Sequence, residues 1–407
     1  MDTSCKKGSA IIFFSGEDPE EPVSLPLMLQ PMLFCPVAVW VAQALTDAGV
    51  EHFFVVCHEK YKEKALACFP DGKAWIASDP KEAPGQLASF LAENAKGPVL
   101  AVTQPVLISY AGARQLTSEE SWPAGDAASG IFRADSGTLL GSLPQTEDLL
   151  ALCTSTGEQY LPMDETLVIP ILSGFDLNRT QSAGRRSVVR RHMERGVYFT
   201  DPETAYIDPR VQIGSGTTVL PGTILRGGTV IGNDCEIGPN TMITNCKVGD
   251  GTSVNASQLN DSTVGSQTTV GPFAYIRPNC TIADHVKIGD FVEVKNSMVG
   301  TRSKVPHLTY VGDADVGDRV NLGCGTITVN YDGQIKSRSV VKDGAFVGCN
   351  ANLVAPVTVG EGAYVAAGST VTDNVPAESL AIARSQQTNK LNWANKRKKN
   401  KSQKTER

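Results

Sequence analysis

An aliphatic residue recurs every six positions through the second half of the chain, from Ile207 to Val371. In the clearest units, such as Ile213–Thr217, a glycine follows it and a small residue stands four positions after it. Six residues make one side of a triangular coil, and successive coils stack as parallel strands roughly 4.8 Å apart. No unit buries its apolar side chain alone, so the pattern predicts a stacked parallel β-helix of about nine coils. Periodicity does not set the hand of the coils, and the general crossover rule favours right-handed turns.

The first half of the chain follows a different pattern, in which apolar runs alternate with helical spacing. The runs predict buried strands at Ser9–Ser15, Val50–Cys57 and Pro98–Val102, and the spacing predicts a helix at Val37–Ala48. This alternation is typical of a parallel α/β layer. Residues 110–160 are weakly patterned and are predicted to be rich in loops.

A basic stretch, Ser187–Arg195, separates the two patterns and is predicted to be a linker helix whose arginines face solvent. We therefore divide the chain into an α/β domain at 1–184, the linker helix at 185–205, the β-helix at 206–385 and a basic tail at 386–407.

Composition and charge narrow the function classes. Hydrophobic residues make up 41% of the chain, and no apolar stretch is continuous enough for a transmembrane helix, so we expect no membrane insertion. The net charge is −6 despite the basic tail, and an acidic body argues against nucleic-acid binding. With no signal-peptide pattern and ten scattered cysteines, we expect a cytoplasmic protein with free thiols. The repeat region holds only His285 and His307, too few for a three-histidine metal site.

Residues 271–393 resemble the acetyltransferase domain of the bifunctional bacterial enzyme N-acetylglucosamine-1-phosphate uridylyltransferase / glucosamine-1-phosphate N-acetyltransferase. The match rests on GDFVEVK at Gly289–Lys295, HLTYVGDAD at His307–Asp315, NYDG at Asn330–Gly333 and LVAPVTVG at Leu353–Gly360. The resemblance implies a left-handed β-helix, a homotrimer with active sites between neighbouring chains, and a step in the synthesis of UDP-N-acetylglucosamine for the cell envelope.

One histidine combines this motif with a position outside the apolar ladder. Val305 and Thr309 take the inward positions of their unit, so His307 points outward or lies at a corner. A lone histidine is more often structural, but a neutral imidazole with a pKa of about 6.5 suits removal of a proton from an amine that attacks a thioester. By resemblance, His307 is the general base.

The resemblance also implies the binding residues. The substrate, glucosamine 1-phosphate, would be held by Arg277, Lys295, Tyr310, Asn321 and Lys336. The co-substrate, acetyl-CoA, would lie along Cys324, Asn330, Tyr331, Cys349, Ala367 and Arg384. Cys324 and Cys349 depart from the alanine and serine usual in the family, which bears on coenzyme affinity and suggests sensitivity to thiol reagents.

The first half departs further from the family. The segment Phe13–Glu21 replaces a glycine-rich nucleotide loop and has one glycine and four acids, which would repel a triphosphate. Gln104 stands where the family has an aspartate that binds Mg²⁺, and an amide is the poorer ligand. We therefore expect a degenerate nucleotidyltransferase-like, Rossmann-like domain, with Mg²⁺ needed only if uridylyl transfer remains.

The favoured hypothesis is an acetyl-CoA-dependent glucosamine-1-phosphate N-acetyltransferase that has lost uridylyl transfer. Three alternatives stay open. They are a fully bifunctional enzyme that also makes UDP-N-acetylglucosamine from UTP, a non-catalytic hexapeptide scaffold, and acetylation of another amino sugar.

Overall fold

The computed structural model describes residues 8–14, 25–95, 97–118, 128–162 and 164–397. The chain forms two compact units, Met1–His285 and Val286–Arg407. The boundary falls within the repeat region, so each unit carries hexapeptide coils.

The first unit begins with an α/β region built on a six-stranded mixed sheet. Its strands, in spatial order, are Ala74–Ala77, Val50–Val56, Gly8–Phe13, Pro98–Val102, Ile131–Asp135 and Glu158–Gln159. The first four run parallel, and the last two are antiparallel to their neighbours. The three predicted strands are confirmed, and so is the helix at Val37–Asp47. A buried cluster that includes Phe54, Leu87 and Phe90 packs one helix against the sheet.

The remaining elements of this region are short, apart from one long helix. The other α-helices are Lys62–Leu66, Ala83–Asn94, Tyr110–Leu116, Ser136–Ser142, Leu149–Thr156 and Gly174–Glu194. The 3-10 helices are Leu27–Leu29, Glu59–Tyr61 and Leu143–Gln145. Two antiparallel pairs join Pro31–Met32 to Cys35–Pro36 and Val106–Ile108 to Val168–Pro170.

The prediction that residues 110–160 are rich in loops is wrong for most of their described part, which forms helices and strands. Helices form there because each has a side chain that caps its first turn: Ser109 accepts from the Gly112 N–H, and Asp148 accepts from the Leu150 and Ala151 N–H groups. Helices of seven or eight residues are too short for an apolar period to stand out.

The predicted linker helix is part of the longer helix Gly174–Glu194, and its arginines do not all face solvent. Arg185 and Arg191 are 6% and 4% exposed. Arg191 forms a 2.6 Å ion pair with Asp47 and donates to the Pro209 carbonyl, while Arg185 donates to the Pro202 carbonyl. These acceptors pair with the terminal nitrogens of both guanidinium groups, which offsets the cost of burying them. The solvated-face prediction is therefore wrong for Arg191, whereas Arg185 lies before the predicted stretch.

The repeat region forms a left-handed parallel β-helix, as the resemblance implies and against the general crossover preference. The predicted inward positions are buried in both units, from Ile207 and Leu225 in the first to Val294 and Val365 in the second. Small residues fill the second inward position, and their hydroxyls bond backbone carbonyls, as Thr217 does to Gly232 at 2.8 Å.

Within each unit, strands pair in parallel with the strand one coil later, as Ile207 with Leu225 and Phe346 with Tyr364. The strands of the first unit are Tyr198–Phe199, Tyr206–Ile207, Gln212–Ile213, Thr218–Val219, Ile224–Arg226, Val230–Ile231, Glu236–Ile237, Met242–Thr244, Lys247–Val248, Ser253–Val254, Gln258–Asn260, Thr263–Val264, Thr269–Val270, Tyr275–Ile276 and Thr281–Ile282. Those of the second are Lys287–Asp290, Glu293–Lys295, Met298–Val299, Lys304–His307, Tyr310–Gly312, Ala314–Val316, Asn321–Leu322, Ile327–Val329, Ser339–Val341, Phe346–Val347, Asn352–Val354, Thr358–Val359, Tyr364–Val365, Thr370–Val371 and Leu380–Ala381.

Candidate active site on the β-helix

His307 ends the strand Lys304–His307 with its side chain 51% exposed, while Val305 is fully buried. Its Nδ1 lies 2.5 Å from Asp290 Oδ1. The hydrogen bond with His307 lowers the pKa of Asp290, so this carboxyl is ionised at neutral pH. An ionised carboxylate only accepts, so the proton lies on Nδ1 and the lone pair on Nε2. The arrangement therefore leaves one ring nitrogen able to take up a proton.

The stacking of two coils brings these side chains together. Asp290 and His307 are Cα partners in adjacent parallel strands. The coils approach closely beside them because Gly289 has no side chain: a Cβ there would stand 1.8 Å from the Pro306 carbonyl oxygen. A glycine at 289 is thus a steric requirement of the pair.

A second cluster surrounds the predicted substrate ligand Lys295. Its Nζ lies 3.0 Å from Asp313 Oδ2. Asn296 donates to Oδ1 of the same carboxylate at 2.6 Å, and Asn330 donates to Oδ2. Burial acts to raise the pKa of Asp313, but the hydrogen bonds from Asn296, Lys295 and Asn330 outweigh it and hold that pKa below its ordinary value. Lys295 and Asn330, predicted for different substrates, therefore meet at one carboxylate.

Two further predicted sugar ligands lie on nearby strands of the second unit. Tyr310 is half-buried, and its hydroxyl lies over Gly312, where a Cβ would stand 2.3 Å from it. Gly312 in turn pairs with Lys295. Asn321 is half-buried and pairs with Phe346 on the next coil. Arg277 is half-buried in the first unit, directly after the strand Tyr275–Ile276.

An insertion between residues 328 and 341 interrupts the six-residue repeat, and it forms a small loop that holds two more predicted ligands. Tyr331 and Lys336 are exposed and face each other across an isolated antiparallel bridge. Arg338 anchors the loop, because its guanidinium pairs with Asp315 at 2.6 Å and donates to the Asn296 carbonyl at 2.9 Å. The loop is thus fixed next to the Lys295 cluster.

The predicted coenzyme positions Cys324, Cys349 and Ala367 lie at the same corner of three successive coils. The Cys324 carbonyl accepts from the Asn350 N–H at 2.8 Å, and the Cys349 carbonyl accepts from the Gly368 N–H at 2.8 Å. Cys324 is half-buried, and Cys349 and Ala367 are exposed. Arg384 is exposed, with its Cδ 3.8 Å from the Cβ position of Gly368. These four residues form one continuous edge.

The predicted nucleotide site of the first unit is only partly described. The acidic stretch within Phe13–Glu21 lies outside the described residues after Phe14. Gln104 is half-buried and packs over Gly130, where a Cβ would stand 2.3 Å from its side chain. Among the described residues no cluster of three metal-ligating side chains occurs. Across the same residues, every helix is too short or too polar to traverse a bilayer.

Sequence reasoning missed the two carboxylates, Asp290 and Asp313. Both lie one coil away from a predicted site residue, 17 positions before His307 and 18 positions after Lys295. Counting one coil length forward or back from His307 and Lys295 would have identified these carboxylates as their neighbours.

Two sequence comparisons relate this chain to known proteins. The family model "Bacterial transferase hexapeptide (six repeats)" matches residues 210–245, 261–296 and 338–373. The chain is 48% identical over 252 residues to the bifunctional protein GlmU of Brevibacillus brevis, covering 61% of this chain and 55% of that protein. It is 55% identical over 212 residues to the bifunctional protein GlmU of a Geobacillus species, covering 52% of this chain and 46% of that protein. It is 41% identical over 295 residues to the bifunctional protein GlmU of Clostridium botulinum, covering 69% of this chain and 64% of that protein.

Solved structures are more distant. The UDP-N-acetylglucosamine acyltransferase of Arabidopsis matches with a TM-score of 0.30 and 17% identity, covering 44% of this chain and 69% of that one. LpxA from Acinetobacter baumannii matches with a TM-score of 0.29 and 16% identity, covering 50% of this chain and 77% of that one.

The coils and their repeat define a hexapeptide-repeat protein of the left-handed β-helix class. Within that class the chain is a relative of the bifunctional GlmU proteins, and it spans about half of the length of the first of these.

Proposed function

We propose that this chain transfers the acetyl group of acetyl-CoA to the amine of glucosamine 1-phosphate, giving N-acetylglucosamine 1-phosphate and coenzyme A. The observation that carries the proposal is the exposed His307 held at Nδ1 by Asp290. The sequence similarity to bifunctional GlmU proteins supports it.

In the proposed reaction the amine attacks the thioester carbonyl, and the C–S bond breaks as the tetrahedral intermediate collapses. Nε2 of His307 takes the proton that the amine loses, because Asp290 holds the ring in the tautomer with its lone pair there. That proton is available to the coenzyme A thiolate as it leaves. Asp290 touches no substrate in this scheme and is a positioning residue.

We propose the binding roles that the resemblance implies. Arg277, Lys295 and Lys336 would supply the positive charge for the sugar phosphate, and Tyr310 and Asn321 would orient the sugar. The edge formed by Cys324, Cys349, Ala367 and Arg384, with Asn330 and Tyr331 on the inserted loop, would bind acetyl-CoA. Asp313 would fix Lys295 in place for the phosphate, since it pairs with Lys295 at 3.0 Å.

The proposal is tested by following release of the coenzyme A thiol with glucosamine 1-phosphate as acceptor. His307→Ala is expected to lower kcat by about 10²- to 10⁴-fold, the usual contribution of a general base. His285→Ala is a matched control, because His285 is also an exposed β-helix histidine. A His307→Ala protein with a near-normal rate would overturn the assignment, and no release by the unaltered protein would favour a scaffold.

We propose further that the first unit no longer transfers a uridylyl group. Gln104 supports this, because by resemblance it stands where the family has an aspartate that binds Mg²⁺, and an amide is the poorer ligand. UTP, N-acetylglucosamine 1-phosphate and Mg²⁺ are expected to give no pyrophosphate above a no-enzyme blank. Robust pyrophosphate release from the same preparation would instead establish a bifunctional enzyme.

The proposed assembly is a homotrimer, and the proposed compartment is the cytoplasm, where acetyl-CoA is available. The described cysteines are free thiols, which fits a reducing compartment.

A further inference from the structure

A polar pocket of about 480 Å³ lies in the first unit, far along the chain from the residues of the proposed active site. On one side is the tip of the hairpin Pro31–Pro36, with Leu33 and Phe34. The other side is a corner of the first coils, lined by Asp208, Arg210, Arg226, Gly227, Thr244 and Asn245.

Arg226 is the lining residue best suited to bind an anion. Its guanidinium lies 4.5 Å from the centroid of the Phe34 ring, so the planar fork is held in one orientation. Its Nε is buried and has no hydrogen-bond partner. Within the described part of the chain, Arg226 forms no ion pair. Arg226 as a whole is half-buried and lines the pocket, so an anion in the pocket can pair with its charge.

The charge balance of the pocket favours an anion. Asp208 is fully buried, but Arg210 neutralises it through two hydrogen bonds, from Nε at 2.9 Å and from Nη2 at 2.8 Å. The positive charge of Arg226 is therefore left uncompensated by the other lining residues. The fork geometry of an arginine matches two oxygens of a phosphate.

The remaining walls limit the size and polarity of the ligand. Gly227 adopts φ +63°, and a Cβ there would stand 1.9 Å from the Asn245 side-chain oxygen, so the Asn245 amide packs directly over the Gly227 backbone. The Thr244 side chain follows Arg226 on the next coil and offers a hydroxyl. The volume exceeds that of a phosphate ion and is typical of a small-molecule site.

We propose that this pocket is a second ligand site, which binds a small phosphate monoester such as a sugar phosphate through Arg226. The site is distinct from the proposed acetyltransferase site and does not depend on that function.

The test is titration calorimetry of the full-length protein with inorganic phosphate and with glucose 6-phosphate, and with glucose as the uncharged reference. Arg226→Gln is expected to raise the Kd for both phosphates at least tenfold. Arg226→Lys keeps the charge but loses the planar fork, and it is expected to raise the Kd by a smaller factor. Arg179→Gln is the matched control, because Arg179 is an exposed arginine on the long helix. Thermal unfolding without ligand confirms that each variant folds.

The acetyl-transfer rate and the KM for glucosamine 1-phosphate are measured on the same variants and are expected not to change with Arg226→Gln. Equal phosphate affinity in Arg226→Gln and the unaltered protein would overturn the proposal. So would the absence of phosphate binding up to about 10 mM, where only a very weak interaction would remain undetected.

Discussion

At the scale of single residues, the inward pattern of the repeat predicted where His307 lies but not which residue it contacts. Val305 and Thr309 face the core as predicted, and this alone placed His307 outside it. The partner of His307 was not predicted, because Asp290 adjoins it only when the coil between them has 17 residues instead of 18. The catalytic and binding roles of the site residues remain predictions.

Asp290 offers a test of positioning at this scale. Asp290→Ala is expected to lower kcat by about 10- to 100-fold, a part of the general-base contribution, with little change in KM. Asp290→Asn is expected to recover part of the rate, because the amide oxygen accepts the same hydrogen bond from Nδ1. Asp373→Ala controls for loss of an exposed carboxylate elsewhere on the β-helix. If Asp290→Asn and Asp290→Ala were equally slow in kcat, the hydrogen bond would not be the operative feature.

At the scale of elements, apolar runs located three of the six strands of the mixed sheet, and the six-residue period located the β-helix. The long helix showed where such local patterns were not sufficient. A basic helix surface normally faces water, but Arg185 and Arg191 are buried because backbone carbonyls from 202 and 209 accept their hydrogen bonds. Those carbonyls are distant in the sequence, so no local pattern reports them. The caps at Ser109 and Asp148, in contrast, are visible in the sequence and were the unused signal for the helices within 110–160.

His192, on the same helix, makes the first unit acid-sensitive. Burial and then the positive charges of Arg191 and Arg195 lower its pKa to about 3, so the folded state keeps the imidazole neutral. The unfolded state binds a proton below about pH 6.5, so stability is complete above that pH and falls as the pH drops toward 3. By this linkage the unfolding free energy is about 2 kcal/mol lower at pH 5 than at pH 7.5.

The measurement is urea unfolding of the protein at both pH values, followed by tryptophan fluorescence. His192→Gln is expected to remove most of this difference, whereas His58→Gln, at an exposed site, is expected to leave it unchanged. A His192→Gln protein with the full pH dependence would show that other groups are responsible.

At the scale of the whole molecule, the second unit leaves a ladder of large apolar side chains open to solvent. Phe346, Tyr364 and Leu380 are in register on successive coils and are 41%, 55% and 62% exposed. The rings of Phe346 and Tyr364 stack at 5.5 Å. Contiguous exposed apolar surface is typical of association sites, so we predict that this ladder belongs to the interface of the proposed homotrimer.

Phe346→Glu combined with Tyr364→Glu is therefore expected to shift the protein from trimer to monomer, because two charges would have to be buried on assembly. Analytical ultracentrifugation measures the change, and acetyl transfer should fall with it if the active site needs a neighbouring chain. Phe175→Glu is the control, since Phe175 is 75% exposed on the long helix of the first unit. An unchanged trimer in the double variant would remove this ladder from the interface.

The distribution of thiols has a practical consequence for measuring occupancy. Burial raises the pKa of the Cys57, Cys68 and Cys246 thiols to about 11, so these sulfurs react slowly with alkylating reagents near neutral pH. Among the described cysteines only Cys324 and Cys349 are not buried, and both lie on the edge assigned to acetyl-CoA. Mass-spectrometric footprinting with iodoacetamide would therefore report on that edge directly. The fraction of protein with coenzyme bound would be obtained from how far added coenzyme slows carbamidomethylation of these two sulfurs.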